Sequence, residues 1–472
     1  MTFRLYPDQA DLVGRVRSAM TRHKWVLLQA ATGSGKTAMS LDMVSGAVKK
    51  GRRAIFTVPR RELLAQTIET VERFDIPFGV ISPDYPANPF APIQIAMTPT
   101  LARRLDKTTA PDVIFIDECH FGGAELERII DWAKASGSYG VGLSATPMKN
   151  NGKGMGDWYG HMECGLPPSD LIAAGRLSQY RYYGPSSPDL SALPTSDGNY
   201  VQKHLSAFME QEAAIIGDAV RTYRDTAAGK LCVVFATSRK HAGLIHQAFQ
   251  GQGIDAQTID GTMGKDERKR IVMGFARREY TVLINVQLLT FGFDLSQAAG
   301  MDVRIEALSD MCPRKSLPMQ LQVWGRALRA GDEPTVMLDH SNNWREHGFP
   351  DSPREWKLES SKTRGQQSDR NEPVRQCSIA DGGCGFVHRP APACPNCGFV
   401  YPVQSRMIDE VEGDLQEIDR NAAQAARVSA RQDQGRAGTL ADLIALGKAK
   451  GRNPRWAHHV YNARQRKKGA SA

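Results

Sequence analysis

Long apolar runs are missing from this 472-residue sequence: none approaches the roughly 20 residues that a bilayer-spanning helix needs. A membrane partner is therefore not expected. Residues Met1 to Pro7 also lack the apolar core of a secretory signal, which leaves a cytoplasmic location, or a nuclear one in a eukaryotic source. No constellation of side chains suited to cutting nucleic acid stands out, so cleavage by this chain alone is not expected. A surplus of acid is absent too. Lys and Arg number 60 against 51 Asp and Glu, a net charge of +9 that points toward a polyanionic partner; a basic but unspecialised surface is the alternative. The cysteines are unevenly placed. Cys119, Cys164, Cys232 and Cys312 are scattered, as buried or incidental thiols are, while Cys377, Cys384, Cys394 and Cys397 crowd one short window. In a reducing compartment such a cluster suggests metal rather than disulfides. With 41% apolar and 24% charged residues, the chain has the composition of a globular protein and the length for two or three domains.

What is present is organised around Ala31-Thr32-Gly33-Ser34-Gly35-Lys36-Thr37. The apolar run Trp25 to Leu28 before it reads as a buried strand, and Ala38 to Met43 after it reads as a helix. Glycines between a strand and a helix let successive backbone N–H groups turn inward around phosphate oxygens, and the helix N-terminus adds partial positive charge. Thr32, Gly33, Ser34 and Gly35 would form that cradle, Lys36 would reach the β- and γ-phosphates, and Thr37 would ligate Mg²⁺. Ala31 stands where the first glycine of such a loop would be. Upstream, Gln9 precedes an amphipathic stretch with Leu12, Val13, Val16 and Met20 at helical spacing, and its amide could pair with both edges of adenine.

Strand-to-turn patterns recur. Ala54 to Val58 leads to Pro59 and Arg60, and Ile93 to Met97 leads to Thr98, Pro99 and Thr100, turns suited to holding phosphates. Val113 to Ile116 is a continuous apolar run ending in Asp117-Glu118-Cys119-His120. Carboxylates at the carboxyl end of a central parallel strand lie beside the phosphate loop, so Asp117 is expected to hold Mg²⁺ through water and Glu118 to orient or deprotonate the attacking water. Tyr139 to Leu143 is a further strand, followed by Ser144, Ala145 and Thr146. A connector around Leu171 to Leu177 opens a second alternation of strands and helices, from Leu231 to Asp339. This half has no phosphate loop. It carries Gln322, Gly325, Arg326 and Arg329, read as one helix, whose arginines could complete a phosphoryl-transfer site across a cleft; a solvated basic helix face is the alternative.

The ordered set of motifs resembles that of superfamily 2 helicases, and most closely their type III restriction/XPB-like DEAD/DEAH group, which includes phage and bacterial DNA repair helicases. The resemblance spans roughly residues 3 to 350. It implies α/β architecture with two RecA-like parallel-sheet domains in tandem, at 1–165 and 166–350, that bind and hydrolyse ATP with Mg²⁺ in the cytoplasm of a bacterium or phage-infected host. It implies catalytic roles for Lys36, Asp117, Glu118, Gln322, Arg326 and Arg329, and nucleotide contacts by Gln9, Gly292 and Asp294. His120, Ser144 and Thr146 would couple the two activities, and Pro59, Arg60, Thr98, Thr100, Thr237, Ser238 and Thr290 would hold nucleic acid. DNA, single-stranded, forked or branched, is the partner the resemblance favours. RNA, or an ATPase switch on a nucleic-acid-binding scaffold, stays open.

Beyond the resemblance, residues 351–376 read as a polar linker and 377–402 as a zinc module. The Cys394-Pro-Asn-Cys397 spacing suits two thiolates wrapping one Zn²⁺; the six residues between Cys377 and Cys384 are loose, so His388 could replace one cysteine, and metal-free thiols are the bland alternative. Residues 403–472 are expected to be helical, first acidic and then basic. Arg455 and Trp456 typify the end, where cations could contact phosphates and aromatics stack on bases. A solvated basic tail is the alternative.

Overall fold

A computed structural model describes residues 4–72, 76–149, 153–184, 190, 193–196, 199–211, 213–289, 293–359, 374–379, 381–401, 439–449 and 461. The chain divides into two units, 1–401 and 402–472. No helix among the described residues is long and apolar enough to cross a membrane.

The first lobe is built on a parallel sheet of seven strands: β1 (Trp25–Gln29), β2 (Ala54–Val58), β3 (Phe78–Ile81), β4 (Ile93–Met97), β5 (Val113–Ile116), β6 (Tyr139–Ser144) and β7 (His161–Cys164). Their order is β3-β4-β2-β5-β6-β1-β7, and every neighbouring pair is parallel. The strands β1, β2 and β5 are buried at every position, which is why their sequences are continuous apolar runs rather than alternating ones. Helix α1 (Pro7–Ala19) starts on a proline, whose missing N–H costs nothing in the first turn, and turns Leu12, Val13, Val16 and Ala19 inward. Helix α2 (Lys36–Val48) begins directly after Gly35, held at φ 88° where a side chain would be strained.

The second lobe uses β8 (Tyr180–Tyr183), a hairpin of β9 (Thr195–Ser196) and β10 (Asn199–Tyr200), then β11 (Cys232–Ala236), β12 (Ala256–Asp260), β13 (Val282–Val286), β14 (Ala307–Asp310) and β15 (Thr335–Asp339). Two further strands, β16 (Arg375–Gln376) and β17 (Phe386–His388), belong to the cysteine-rich region, and β17 pairs antiparallel with β8. The resulting sheet runs β12-β13-β11-β14-β15-β8-β17-β16. The cysteine-rich region is therefore the edge of the second lobe's sheet, where the sequence suggested a module set apart by a linker.

The polar stretch after 350 also differs from a free linker. The Leu358 carbonyl accepts a hydrogen bond from the Gly156 N–H (2.9 Å), and its side chain packs on a first-lobe apolar cluster containing Trp25, Leu27 and Trp158. Residues 350–358 thus strap the second lobe back onto the first. In the second unit, the helix Leu440–Ala449 is capped reciprocally, Thr439 N–H to Asp442 Oδ2 and Asp442 N–H to Thr439 Oγ1, and it buries Leu443 with Leu440, Leu446 and Tyr461.

Candidate active site between the lobes

The parallel strands of the first lobe end together beside the glycine-rich turn, as the sheet topology requires. Gly33 and Gly35 both have positive φ, 83° and 88°. Lys36 is buried, with Nζ 3.3 Å from the Ala30 carbonyl and 3.4 Å from that of Ala31. Asp117 and Glu118 follow β5, and Glu118 sits at φ 45°, a left-handed conformation that costs a non-glycine residue about 1–2 kcal/mol. Such strain is found where a side chain has to be aimed. Burial, then the neighbouring Glu118, pushes the Asp117 carboxyl up to about 7. Two crowded carboxylates of which one is enclosed fit a divalent cation, whose charge would relieve both. The donors of the glycine turn and Lys36 likewise fit a polyphosphate.

Across the cleft, the helix Leu317–Ala327 lays its backbone against the glycine turn. A Cβ built on Gly325 would lie 2.3 Å from Thr32 Cβ, so only glycine permits this approach. Ala31, in place of the motif's first glycine, joins the apolar cluster of the second lobe. Its methyl supplies inter-lobe surface, which accounts for the departure. The two arginines divide. Arg329 lies beyond the end of the helix rather than on it, because Leu328 ends the turn and Arg329 forms a bridge with Leu177. Its guanidinium pairs with Asp294 and donates to Ser296 Oγ (2.7 Å). Burial works against the Asp294 charge, yet Arg329, the Gln297 N–H and Arg326 hold its carboxyl below the usual range. Arg326 is half-buried, its buried Nε has no partner among the described residues, and burial lowers its pKa, partly offset by Asp294 and Glu118. A half-buried, incompletely paired guanidinium facing Glu118 fits an anionic group between the lobes.

One hydrogen-bond chain crosses the cleft. Ser144 Oγ donates to the Thr146 carbonyl (2.7 Å) and accepts the Thr146 N–H (2.9 Å). His120 Nδ1 lies 2.9 Å from Ser144 Oγ, and since that hydroxyl proton is already committed, Nδ1 carries the proton. His120 Nε2 then accepts from Gln322 Nε2 (3.1 Å) of the second lobe. With the Gln322 amide so oriented the imidazole is neutral, in agreement with burial lowering the His120 pKa.

The other expected residues are placed less uniformly. Gln9 is buried, its Oε1 accepting the Tyr6 N–H (3.0 Å) and its Nε2 donating to the Ser34 carbonyl (2.7 Å), so it braces the phosphate loop. Pro59 and Thr98 line a recess of about 240 Å³ together with Asp117 and Glu118. The Thr98 hydroxyl donates to the Val58 carbonyl (3.0 Å), and Thr100 is buried. Arg60 is exposed. Thr237 Oγ1 bonds His241 Nδ1 (3.0 Å) and Ser238 caps a helix, so both hydroxyls are engaged within the lobe. Thr290, Gly292, Arg455 and Trp456 lie outside the described residues. Sequence reasoning missed Arg176 and Leu177. The Arg176 guanidinium pairs with Asp8 and lies 4.3 Å from the Tyr6 ring centre, and Leu177 Cδ2 lies 3.0 Å from where a Cβ on Gly33 would be. The only local signal was the Ala-Gly-Arg-Leu turn, with Gly175 at φ 68°.

The four cysteines converge at the sheet edge. Their sulfurs all lie within 4.8 Å of one another, with Cys377–Cys397 at 3.7 Å and Cys384–Cys394 at 3.8 Å. Tetrahedral Zn–S bonds of about 2.3 Å put sulfurs about 3.8 Å apart, so the set fits zinc. His388 bonds Tyr401 Oη (2.5 Å) and the Arg389 carbonyl (2.6 Å) instead, and is outside this cluster.

Residues 2–149 match the family model of the type III restriction enzyme res subunit, and residues 214–331 that of the helicase conserved C-terminal domain. The chain belongs to the superfamily 2 helicases, in their type III restriction-like group. It is accordingly an ATP-hydrolysing enzyme of helicase type. This helicase is 27% identical over 387 residues to a 51.5 kDa protein of a Lactococcus phage, covering 81% of this chain and 76% of that one. It is 26% identical over 368 residues to the putative mitochondrial ATP-dependent helicase irc3 of Schizosaccharomyces pombe, and 24% over 336 residues to the putative ATP-dependent helicase IRC3 of Saccharomyces cerevisiae. Those alignments cover 72% and 66% of this chain, but only 58% and 48% of the yeast proteins. Its fold is shared with the ATP-dependent type ISP restriction-modification enzyme LlaBIII bound to DNA, at a TM-score of 0.52 and 15% identity over 71% of this chain and 27% of that one.

Proposed function

We propose that this helicase is an ATP-driven DNA translocase that hydrolyses ATP in the cleft and converts opening and closing of the lobes into movement on DNA. The observation that carries the reading is the chain Thr146–Ser144–His120–Gln322, which makes the site beside Glu118 sensitive to the position of the second lobe. In this scheme the glycine turn, Lys36 and Thr37 bind the phosphates, Asp117 holds Mg²⁺ through water, and Glu118 accepts a proton from the attacking water. Mg²⁺ when bound supplies positive charge to the β- and γ-phosphates. Arg326 stabilises charge developing on the transferred group, and Arg329 keeps Asp294 and the adjoining loop in register with it. Gln9 anchors the phosphate loop and lies next to the adenine side. Pro59, Arg60 and Thr98 offer surface to one strand, and Cys377, Cys384, Cys394 and Cys397 hold structural Zn²⁺.

DNA is favoured over RNA by the group resemblance and by the DNA-bound structural relative, and a forked or branched substrate by the basic aromatic tail with Arg455 and Trp456. The same resemblance favours a cytoplasmic location. The test is steady-state ATPase of the full chain with single-stranded, duplex and forked DNA and with RNA. Stimulation by DNA above RNA is expected, and the reading fails if no nucleic acid raises turnover.

A further inference from the structure

The amino ends of the first lobe's strands form the face opposite the ATP site, and the sheet order sets side chains along it in a row. Taking the strands in the order β4-β2-β5-β6-β1, the residues at or just before their starts include Phe90, Arg53, Asp112, Tyr139 and Lys24. At about 4.8 Å per strand the row is about 19 Å long. Phe90 is 91% exposed, an extreme value for an aromatic residue. It is anchored beside Arg53, whose guanidinium donates to the Pro89 carbonyl (3.0 Å). Tyr139 is 40% exposed, with Lys24 Nζ 5.9 Å from its ring centre. An open groove of about 880 Å³ runs along this face, and Lys49 and Lys50 at the end of α2 stand on its rim with Arg17 and Arg52.

The acids here are already committed: Asp42 pairs with Arg17, and Asp112 with Arg52 and the Arg53 N–H. Lys24, Lys49 and Lys50 are exposed and in no salt bridge among the described residues. The dipole at the end of α2 explains one such lysine but not basic groups from α1, the end of α2 and the start of β2 on one groove, with Lys24 beside Tyr139 at its wall. An extended polyanion with stackable rings fits such a row better than an acidic protein, which would leave Phe90 and Tyr139 without flat partners.

We propose that this rear face is a second nucleic-acid site, which holds the phosphate backbone of another segment of nucleic acid while the cleft side tracks the first. Its length matches about five or six phosphates of one strand. It rests on the reading of the chain as a nucleic-acid-driven ATPase, but it is separable from that reading by experiment.

The test uses the full chain saturated on an immobilised biotinylated duplex and asks whether it captures a second, fluorescent duplex at 0.1 M salt. The wild type captures it, and a Lys49→Glu/Lys50→Glu variant captures at least about tenfold less, since charge reversal loses phosphate contacts. Phe90→Ala, which leaves the charge alone, lowers capture of a second single strand by about fivefold. DNA-stimulated ATPase of both variants stays within twofold of wild type. Normal stimulation without capture by the wild type, or equal capture by wild type and charge-reversal variant, overturns the second site alone. A variant that loses stimulation together with capture overturns it as well, because the face then belongs to the single track. Absence of both stimulation and capture in the wild type defeats this site and the translocase reading together.

Discussion

Among the described residues, the buried Lys, Arg, Asp, Glu and His side chains of the first lobe are Lys36, Asp117 and His120, all at its cleft end. The second lobe is built the other way. Arg314 is enclosed and donates to both oxygens of Asp310 (2.7 and 2.8 Å), while Gln320 and Asn343 donate to the same carboxylate. Asp339 accepts from Tyr182 and from the Trp344 N–H, and His241, His340 and His347 are buried nearby or in the same lobe. The first lobe keeps its buried charge at the cleft, and the second, Arg326 apart, uses charge to fix strand ends and helix starts. The difference predicts that substitutions in the first lobe remove binding or hydrolysis, whereas the second can be disturbed without loss of nucleotide.

The largest effect tests that division directly. Arg326→Ala is expected to lower turnover by on the order of 10³-fold with nucleotide affinity changed little, while Lys36→Ala weakens binding itself and Glu118→Gln binds but turns over on the order of 10²–10⁴-fold more slowly. Nucleotide titration beside steady-state hydrolysis separates the three, and equal loss of affinity in Arg326→Ala would erase the contrast between lobes. Next comes Gly325→Ala. A methyl there meets Thr32, so closure is blocked and ATPase falls by on the order of 10²-fold. Melting temperature should hold or rise, because alanine in a helix is favoured over glycine by about 0.5–1 kcal/mol.

Acid sharpens the comparison. Burial lowers His241 to about 4, His340 to about 3 and His347 to about 4, so these groups stay neutral when folded but take up protons when unfolded below pH 6.5. Their contribution is present above pH 6.5 and lost as the pH falls toward 4. Asp339, raised by burial and Asp310 to about 6, acts in the opposite sense between pH 6 and 4. Near pH 5 the balance is about two protons taken up on unfolding, and lobe stability should fall by about 3 kcal/mol per pH unit. Hydrogen exchange at pH 7 and pH 5 should show β11, β14 and β15 losing protection before β1, β2 and β5; the reverse order would refute the assignment. The smallest effect on turnover is expected from zinc. Cys384→Ser should lower zinc content and loosen β16 and β17, measured by metal analysis and exchange, while basal ATPase changes less than about threefold, because the site contains none of these residues.

What the sequence disclosed follows the range of its signals. Residues adjacent in the chain, such as Gly33 to Thr37 or Asp117 and Glu118, carry their chemistry in their own spacing, and buried parallel strands announce themselves as apolar runs. The contacts of Arg176 with Asp8 and of Leu358 with Gly156 join residues about 170 and 200 positions apart, and no local pattern encodes them. The three-residue spacing of Arg326 and Arg329 suggested one helical face because nothing local reveals that a bridge to Leu177 ends the helix. Thr237 and Ser238 looked available because hydroxyls in a turn serve phosphates and helix caps equally well, and only the fold shows the cap.

The antiparallel pairing of β17 with β8 has a mechanical meaning. Eight hydrogen-bonded strands form a plate about 34 Å across, stiff along its width because every strand is tied to the next. If such a plate turns by about ten degrees about its β12 edge, the cysteine-bearing rim travels about 6 Å, using the same strand spacing. That is nearly twice the ~3.4 Å between successive nucleotides of one strand, so a small rotation of the second lobe displaces the rim by a distance of nucleotide size.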